Sequence, residues 1–502
     1  MPSTVTTRRT RGAMPRHLRV LAAADREGLP AVSGPLPDTA SSHAFGAAAY
    51  EDVPEDLAKS GYTEGEYIIS GMANVYDWPQ PGPAVVRTPR APYTTRMLVR
   101  RPADPKKFSG RVVVEMLNPS SLFDLNIGWA HMHRQLVRNG DAWVGVTVKP
   151  TSMQALKNFD PQRYKDLSLA NPLPLSDPRN CGKVAADSSR TTENGLAWDI
   201  YTQVGLLMHS TSATNPLSYD GRTTVRRVYG FGYSQTGGYL YNWINGVRPL
   251  AEKANGGRPI YDGYLIAGAG GSFVGMVPIN QCAAVPPAGA PRYQLKNVGV
   301  PVIHAMTQSD YLTGIDSRRP DSDAPEDRYR HYEMAGTGHS SPDHPYYSAR
   351  PADVAKAGRE VPRMNCNEGP RSRFPSYIFL DAMLRNLEQW TENGVAPPHA
   401  APVTVENGEP VLDEHGNVTG GLRSPYLDVP TSTWYGNSTP DSCDIAGHEV
   451  PFSRAELAKL YPSHGAYVAA VSANTRRLVA GRTITPEDGR ALMREAAASD
   501  VP

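Results

Sequence analysis

The chain of 502 residues has almost no net charge, with 51 basic residues against 50 acidic ones leaving a formal +1 at pH 7. So even a balance excludes the electrostatic signature of nucleic-acid or anionic-membrane binding and leaves a small molecule as the natural partner. Long hydrophobic runs are missing too. No segment approaches the ~18 apolar residues of a membrane span. Behind Arg8, Arg9 and Arg11 the only apolar stretch, Val20 to Ala24, is too short for the core of a signal peptide. This reads as a soluble cytoplasmic protein, with export through the twin Arg8-Arg9 as the lesser alternative. Cysteine is scarce: Cys181, Cys282, Cys366 and Cys443 show no CxxC spacing, which speaks against zinc or thioredoxin-like chemistry. They are expected as thiols of the core or loops, with one or two disulfides left open.

What the chain does have is 46 prolines and 45 glycines, with enough apolar residues for a core. That composition predicts a globular protein with many long, ordered loops. Its length suits one large catalytic domain carrying insertions and an appendage. Short apolar runs bounded by turn residues read as buried parallel strands: Val112 to Leu117, Ala142 to Val148, Val228 to Phe231, Gly263 to Ala267 and Val300 to Met306. Between them Trp129 to Arg138, Thr192 to His209 and Thr236 to Val247 read as helices, and the alternation defines an α/β fold. A further helix follows Pro375, its apolar face made by Phe379, Leu380, Met383, Leu384, Leu387 and Trp390.

The expected organisation is an irregular N-terminal wrap over residues 1–90, a catalytic core over 91–396, and a C-terminal extension over 397–502. The core is interrupted near 149–180, 268–297 and 340–373, stretches long enough to be lids or binding loops above the substrate. In the extension, Asn407-Gly408 and Gly416-Asn417 signal hairpins, Ser453 with Glu456 a capping box, and Thr485-Pro486-Glu487-Asp488 a helix start.

Chemistry concentrates at Gly232-Tyr233-Ser234-Gln235-Thr236-Gly237, which follows a strand and opens a helix. This is the pattern of a nucleophile elbow, a turn so sharp that small residues must flank the serine. Thr236 stands where glycine is usual. An activated serine needs a base, and the base needs an orienting carboxylate, in the chain order Ser, acid, His. Asp310 is the only carboxylate in Thr307-Gln308-Ser309-Asp310, directly after a late strand. Tyr329 to Met334 reads as the last strand, and His339 follows it among small residues. His344 is the rival base and Glu333 the rival acid; His304 reads as a hydrogen-bonded core residue. For the oxyanion, the Gln235 N–H is one expected donor. The other is expected from Asn118-Pro119-Ser120-Ser121, where Pro119 has no N–H, so Ser120, Ser121 or the Asn118 side chain supplies it. Asn118 and Tyr233 are also candidates to line the substrate pocket.

These stretches resemble a family of bacterial α/β-hydrolase domain-containing proteins, over most of the chain. The resemblance runs through Gly61-Tyr62 to Val75-Tyr76, Pro92 to Arg96, Val112 to Asn118, Gly232 to Gln235, Thr307 to Asp310, Ala335 to His339 and Leu460 to His464. It implies the α/β-hydrolase fold, a mostly parallel sheet with helices on both faces, and a triad of Ser234, Asp310 and His339. The family often carries a glutamate where this chain has Gln308, while Asp310 keeps the usual spacing of the acid. No HExxH, Walker or dinucleotide fingerprint is present, so no cofactor or metal is expected. The expected activity is hydrolysis of a carboxylic ester or lactone through an acyl-serine. The alternatives are acyl transfer from the same intermediate, or a binding protein that has kept the fold and lost the chemistry.

Overall fold

The computed structural model describes residues 28–79, 82–181, 189–219, 222–270, 277–287, 289–310, 315–362, 366–439 and 441–501. Arg8, Arg9, Arg11 and Val20 to Ala24 lie outside them, as do residues 271–276 and 363–365 of two long loops. The main sheet has nine strands: β1 (Ala31–Ser33), β2 (Tyr62–Asp77), β3 (Val85–Pro102), β4 (Arg111–Met116), β5 (Ala142–Val146), β6 (Arg227–Tyr233), β7 (Gly263–Ala267), β8 (Val302–Thr307) and β9 (Tyr329–Met334). Their spatial order is β1-β2-β3-β5-β4-β6-β7-β8-β9. The pairings β1/β2, β2/β3 and β3/β5 are antiparallel. Every pairing from β5 to β9 is parallel.

The helices that matter for the site and its support are α1 (Ile127–Asn139), α2 (Pro150–Phe159), α3 (Ala197–His209), α4 (Gln235–Asn242), α5 (Tyr377–Asn393), α6 (His464–Ala480) and α7 (Pro486–Ala498). Along β4, Val112, Val114 and Met116 join the core shared with α3 and α4, while Val113 joins the one shared with α1 and α5. Both faces are covered, which is why the central strands read as unbroken apolar runs. Glu115 is the exception on β4. It is buried, accepts from the Gly128 N–H (2.6 Å) and the Trp143 indole (3.0 Å), and burial pushes its pKa up to about 8.

Three expectations are corrected here. The sheet begins well before residue 91: β2 and β3 form a long antiparallel hairpin over 62–102, in place of the irregular structure with short strands expected up to residue 90. Glycines and prolines within these strands mask the alternation; a Cβ at Gly71 would lie 2.6 Å from Gln203 Oε1, so glycine there lets α3 approach. The stretch 149–180 is not structureless, since α2 occupies its first third. The cysteines, expected as thiols, are paired as Cys181–Cys282 and Cys366–Cys443. Closing spans of 101 and 77 residues, each crosslink contributes about 4–5 kcal/mol on the chain-entropy account.

The C-terminal segment follows its turn signals. Asn407 and Gly408 have φ of 53° and 85° between the paired strands Val405–Glu406 and Glu409–Pro410. Ser453 and Glu456 form the capping box, and Thr485 caps α7. Leu478, Ile484 and Leu492 enter the core under α1 and α5. The Arg138 guanidinium of α1 holds Asp381 of α5 (2.7 Å) and Asp488 of α7 (2.9 Å). No helix among the described residues is long and apolar enough to cross a membrane.

Candidate active site

Strand β6 ends at Tyr233, and the chain turns at Ser234 into α4 with φ 55° and ψ −125°. A non-glycine residue holds that conformation only when its surroundings impose it. The Ser234 N–H donates to Ala267 O (3.0 Å), and Ser234 O accepts from the Gly238 N–H (3.1 Å). A Cβ at Gly232 would sit 2.5 Å from Thr236 O, so the turn closes only over glycine. Thr236 fits its unusual place because its Oγ1 donates to Tyr233 O (3.0 Å) and accepts from the Tyr233 N–H (3.1 Å). The threonine hydroxyl stitches the elbow.

Two loops bring the partners. After β8 a short turn carries Asp310, and after β9 the run Ala335 to His339 carries the imidazole. His339 Nε2 lies 2.8 Å from Ser234 Oγ, and His339 Nδ1 lies 2.9 Å from each Asp310 carboxylate oxygen. With the Nδ1 proton given to Asp310, Nε2 is the acceptor for the serine hydroxyl. Burial by itself pushes the His339 pKa down. The Asp310 charge and hydrogen bond outweigh it and leave the imidazole above its ordinary value.

Neighbouring groups lock this chain; sequence reasoning assigned no role to Thr307 and Ser309 and placed Tyr233 at the substrate instead. Thr307 Oγ1 donates to Asp310 Oδ2. Ser309 Oγ accepts from the His339 N–H (2.6 Å), and the Tyr233 hydroxyl donates to His339 O (2.7 Å). Gln308 Oε1 accepts from the Gly336 N–H (2.7 Å), so Gln308 ties the two loops together. The hydroxyls flanking Asp310 in Thr307-Gln308-Ser309-Asp310 were the available signal.

The rivals are engaged elsewhere. His344 Nε2 lies 2.5 Å from His131 Nε2, and burial followed by the His131 contact drives the His344 pKa well below its ordinary value. Glu333 is bound by Arg318 (2.5 and 2.6 Å) and His331 (3.0 Å). Burial opposes its ionisation, yet these two partners hold the Glu333 carboxyl at about 2. His304 is a buried core residue, bonded through Nε2 to Ala269 O (2.6 Å) and through Nδ1 to the Tyr329 hydroxyl (3.0 Å).

On the opposite side, the loop after β4 folds back through paired hydrogen bonds between Asn118 and Leu125 (2.9 Å each). Asn118 Oδ1 accepts from the Ser120 N–H (2.9 Å), and Asn118 Nδ2 donates to Tyr233 O (2.8 Å). The Ser120 amide is therefore spent, whereas the Ser121 N–H donates to no described residue. Gln235 opens α4, so its N–H has no acceptor within the helix. Asn118 and Tyr233, expected at the substrate, are each 1% exposed with their polar groups used inside the protein. They support the elbow and the histidine loop. The loop itself is anchored by buried charge: Arg96 holds Asp124 (2.8 Å) and Glu66 (3.0 Å), and Asn126 reaches Glu51 (2.8 Å), itself paired with Arg100 (2.9 Å).

Gly268, where a long loop expected over the substrate begins, adjoins the site: a Cβ there would lie 3.2 Å from His339 Cε1. Among the described residues no group of three or more His, Cys, Asp or Glu side chains could hold a metal ion.

No curated protein matches the chain. Among solved structures, it is similar to acetyl xylan esterase 1 from Thermoanaerobacterium sp., at 12% identity over 64% of this chain and 84% of that one, with a TM-score of 0.29. Esterase Est22 matches at 13% identity over 59% and 79%, with a TM-score of 0.28. Brefeldin A esterase matches at 12% over 68% and 82%, with a TM-score of 0.25. A family model for the alpha/beta hydrolase domain matches residues 32–494, and the chain belongs to that family.

Proposed function

We propose that this protein is a carboxylic ester hydrolase working through an acyl-serine, with Ser234 as nucleophile, His339 as base and Asp310 as its orienting acid. One observation carries the reading: the unbroken chain from Ser234 Oγ through the His339 ring to Asp310, at 2.8 and 2.9 Å, on a serine held at φ 55°. His339 takes the serine proton as Oγ attacks the ester or lactone carbonyl. The oxyanion of the tetrahedral intermediate is received by the N–H groups of Gln235 and Ser121. His339 then returns the proton to the leaving alkoxide, which departs as the alcohol. Water, deprotonated by the same imidazole, attacks the acyl-serine, releases the acid and restores the serine hydroxyl.

The test is Ser234→Ala, assayed with a panel of short- and long-chain aryl esters. We expect kcat/KM to fall by about 10^4-fold or more with an unchanged melting profile, and a fluorophosphonate to label the wild type at Ser234. Hydrolysis that survives the substitution would end this assignment.

A further inference from the structure

Behind His339 the chain is supported by two segments outside the main sheet, 366–373 and the described residues of 436–448 (436–439 and 441–448). The Ser340 N–H donates to Ile445 O (2.6 Å). Gly338 packs so closely on the same turn that a Cβ would lie 2.5 Å from Ala446 O. Gly436 abuts the acid-bearing turn, its Cβ position 2.9 Å from Ser309 N. From the other segment, Arg371 Nη2 donates to Ser340 O (2.9 Å), Ser340 Oγ (2.9 Å) and Ser341 O (2.7 Å). The segments meet each other through Ser372 N–H to Gly447 O (3.1 Å) and Asn367 N–H to Thr439 O (2.8 Å). Cys443 begins the turn that presents Ile445 and Ala446, its carbonyl accepting from the Ala446 N–H (3.0 Å) and the Gly447 N–H (3.3 Å). The Cys366–Cys443 disulfide joins the two segments at that turn.

We propose that Cys366–Cys443 is a positioning crosslink for His339. It ties the two supporting segments into one wall against which residues 338–341 rest, and without it the imidazole drifts out of line with Ser234 and Asp310. The inference builds on His339 being the base. The second crosslink, Cys181–Cys282, provides an internal control, because Cys282 Sγ and Arg87 Nη2 both meet Arg179 O (3.5 and 2.6 Å), and neither cysteine belongs to the two segments that support residues 338–341. Disulfides persist in oxidising surroundings and are opened by cytosolic thiols. On this proposal the enzyme is therefore fully active only outside a reducing cytosol, contrary to the cytoplasmic expectation.

The experiment compares the full-length wild type with Cys366→Ser/Cys443→Ser and Cys181→Ser/Cys282→Ser. Dithiothreitol is the reductant: it closes to its own cyclic disulfide while each released cysteine gains a hydrogen. The wild type and Cys181→Ser/Cys282→Ser should lose about 10- to 100-fold in kcat on reduction, a loss typical of a misplaced catalytic group, with KM little changed. Reoxidation should restore it. Cys366→Ser/Cys443→Ser should start at the low kcat, ignore the reductant, and show its pH midpoint moved down as the Asp310 contact loosens. A folded Cys366→Ser/Cys443→Ser protein with wild-type kcat and pH profile would overturn the proposal. If that variant does not fold, the wild type is titrated with dithiothreitol while Ser234 labelling by fluorophosphonate is followed; an unchanged rate once both thiols can be alkylated overturns it equally. Should Ser234→Ala remain active, the fault lies in the functional reading. The downfield proton resonance of the His339–Asp310 bond, recorded with and without reductant, then still decides the crosslink: its loss on reduction supports the proposal and its persistence refutes it.

Discussion

The loop after β9, which brings His339 to Ser234, and the loop after β4, which carries Ser121, are held by opposite means. The loop after β4, carrying the Ser121 amide, is fastened by buried charge, with Arg96 on Asp124 and Glu66, and Arg100 on the Glu51 that receives Asn126. The loop after β9, carrying His339, leans on hydrogen bonds from the C-terminal half and on a disulfide. The difference follows position. The first loop lies over the centre of the sheet, where β3 can send two arginines, each at most 1% exposed, beneath it. The second hangs from β9, beyond which no further strand of the main sheet lies among the described residues.

This contrast can be broken experimentally. On the histidine side, Asp310→Asn should cost about 10^4-fold in kcat, because the imidazole then lacks both its orienter and the charge that stabilises it when protonated. The pH profile works the same way. Activity needs neutral His339, so kcat/KM of the wild type should rise with pH through a midpoint above the ordinary histidine value of about 6.5. In Asp310→Asn that midpoint should move down; a residual activity with an unmoved midpoint would remove Asp310 from its role. On the other side, Arg96→Met leaves Asp124 without its cation, while Glu66 keeps Arg163 (2.5 Å), and should destabilise the fold by about 3–5 kcal/mol in denaturant titration. That loss should be the same with and without dithiothreitol. If reductant and Arg96→Met prove strongly non-additive, the two supports form one network and the contrast fails.

How much of this could be read beforehand depends on whether the signal is local. Ser234, Asp310 and His339 could be named because each sits just after an apolar run ending in small or polar residues. The parallel core reads the same way, since a strand buried on both faces needs only apolar residues. What escaped was information held between distant residues. The β2–β3 hairpin is patterned by its contacts with α3, and its glycines and prolines look like loop until Gln203 is seen against Gly71. The partner of Cys443 lies 77 residues earlier, beyond any spacing rule. Asn118 and Tyr233 look like substrate contacts from their neighbourhood alone; only their hydrogen bonds show them to be supports.

The backbone at Ser234 has one more consequence. At φ 55° and ψ −125° this residue sits where an L side chain is disfavoured by about 1–3 kcal/mol. Ser234→Gly and Ser234→Ala both lose the hydroxyl, yet only glycine relaxes the turn. After the entropy of a more flexible unfolded chain is set against that gain, the glycine variant should be the more stable of the two by about 1 kcal/mol in thermal melts. Equal melting temperatures would mean that the strain relieved is no larger than the unfolded-chain entropy that glycine adds. A more stable glycine variant would mean that a side chain is kept at this position at a cost in stability, so selection for stability and selection for turnover pull in opposite directions there.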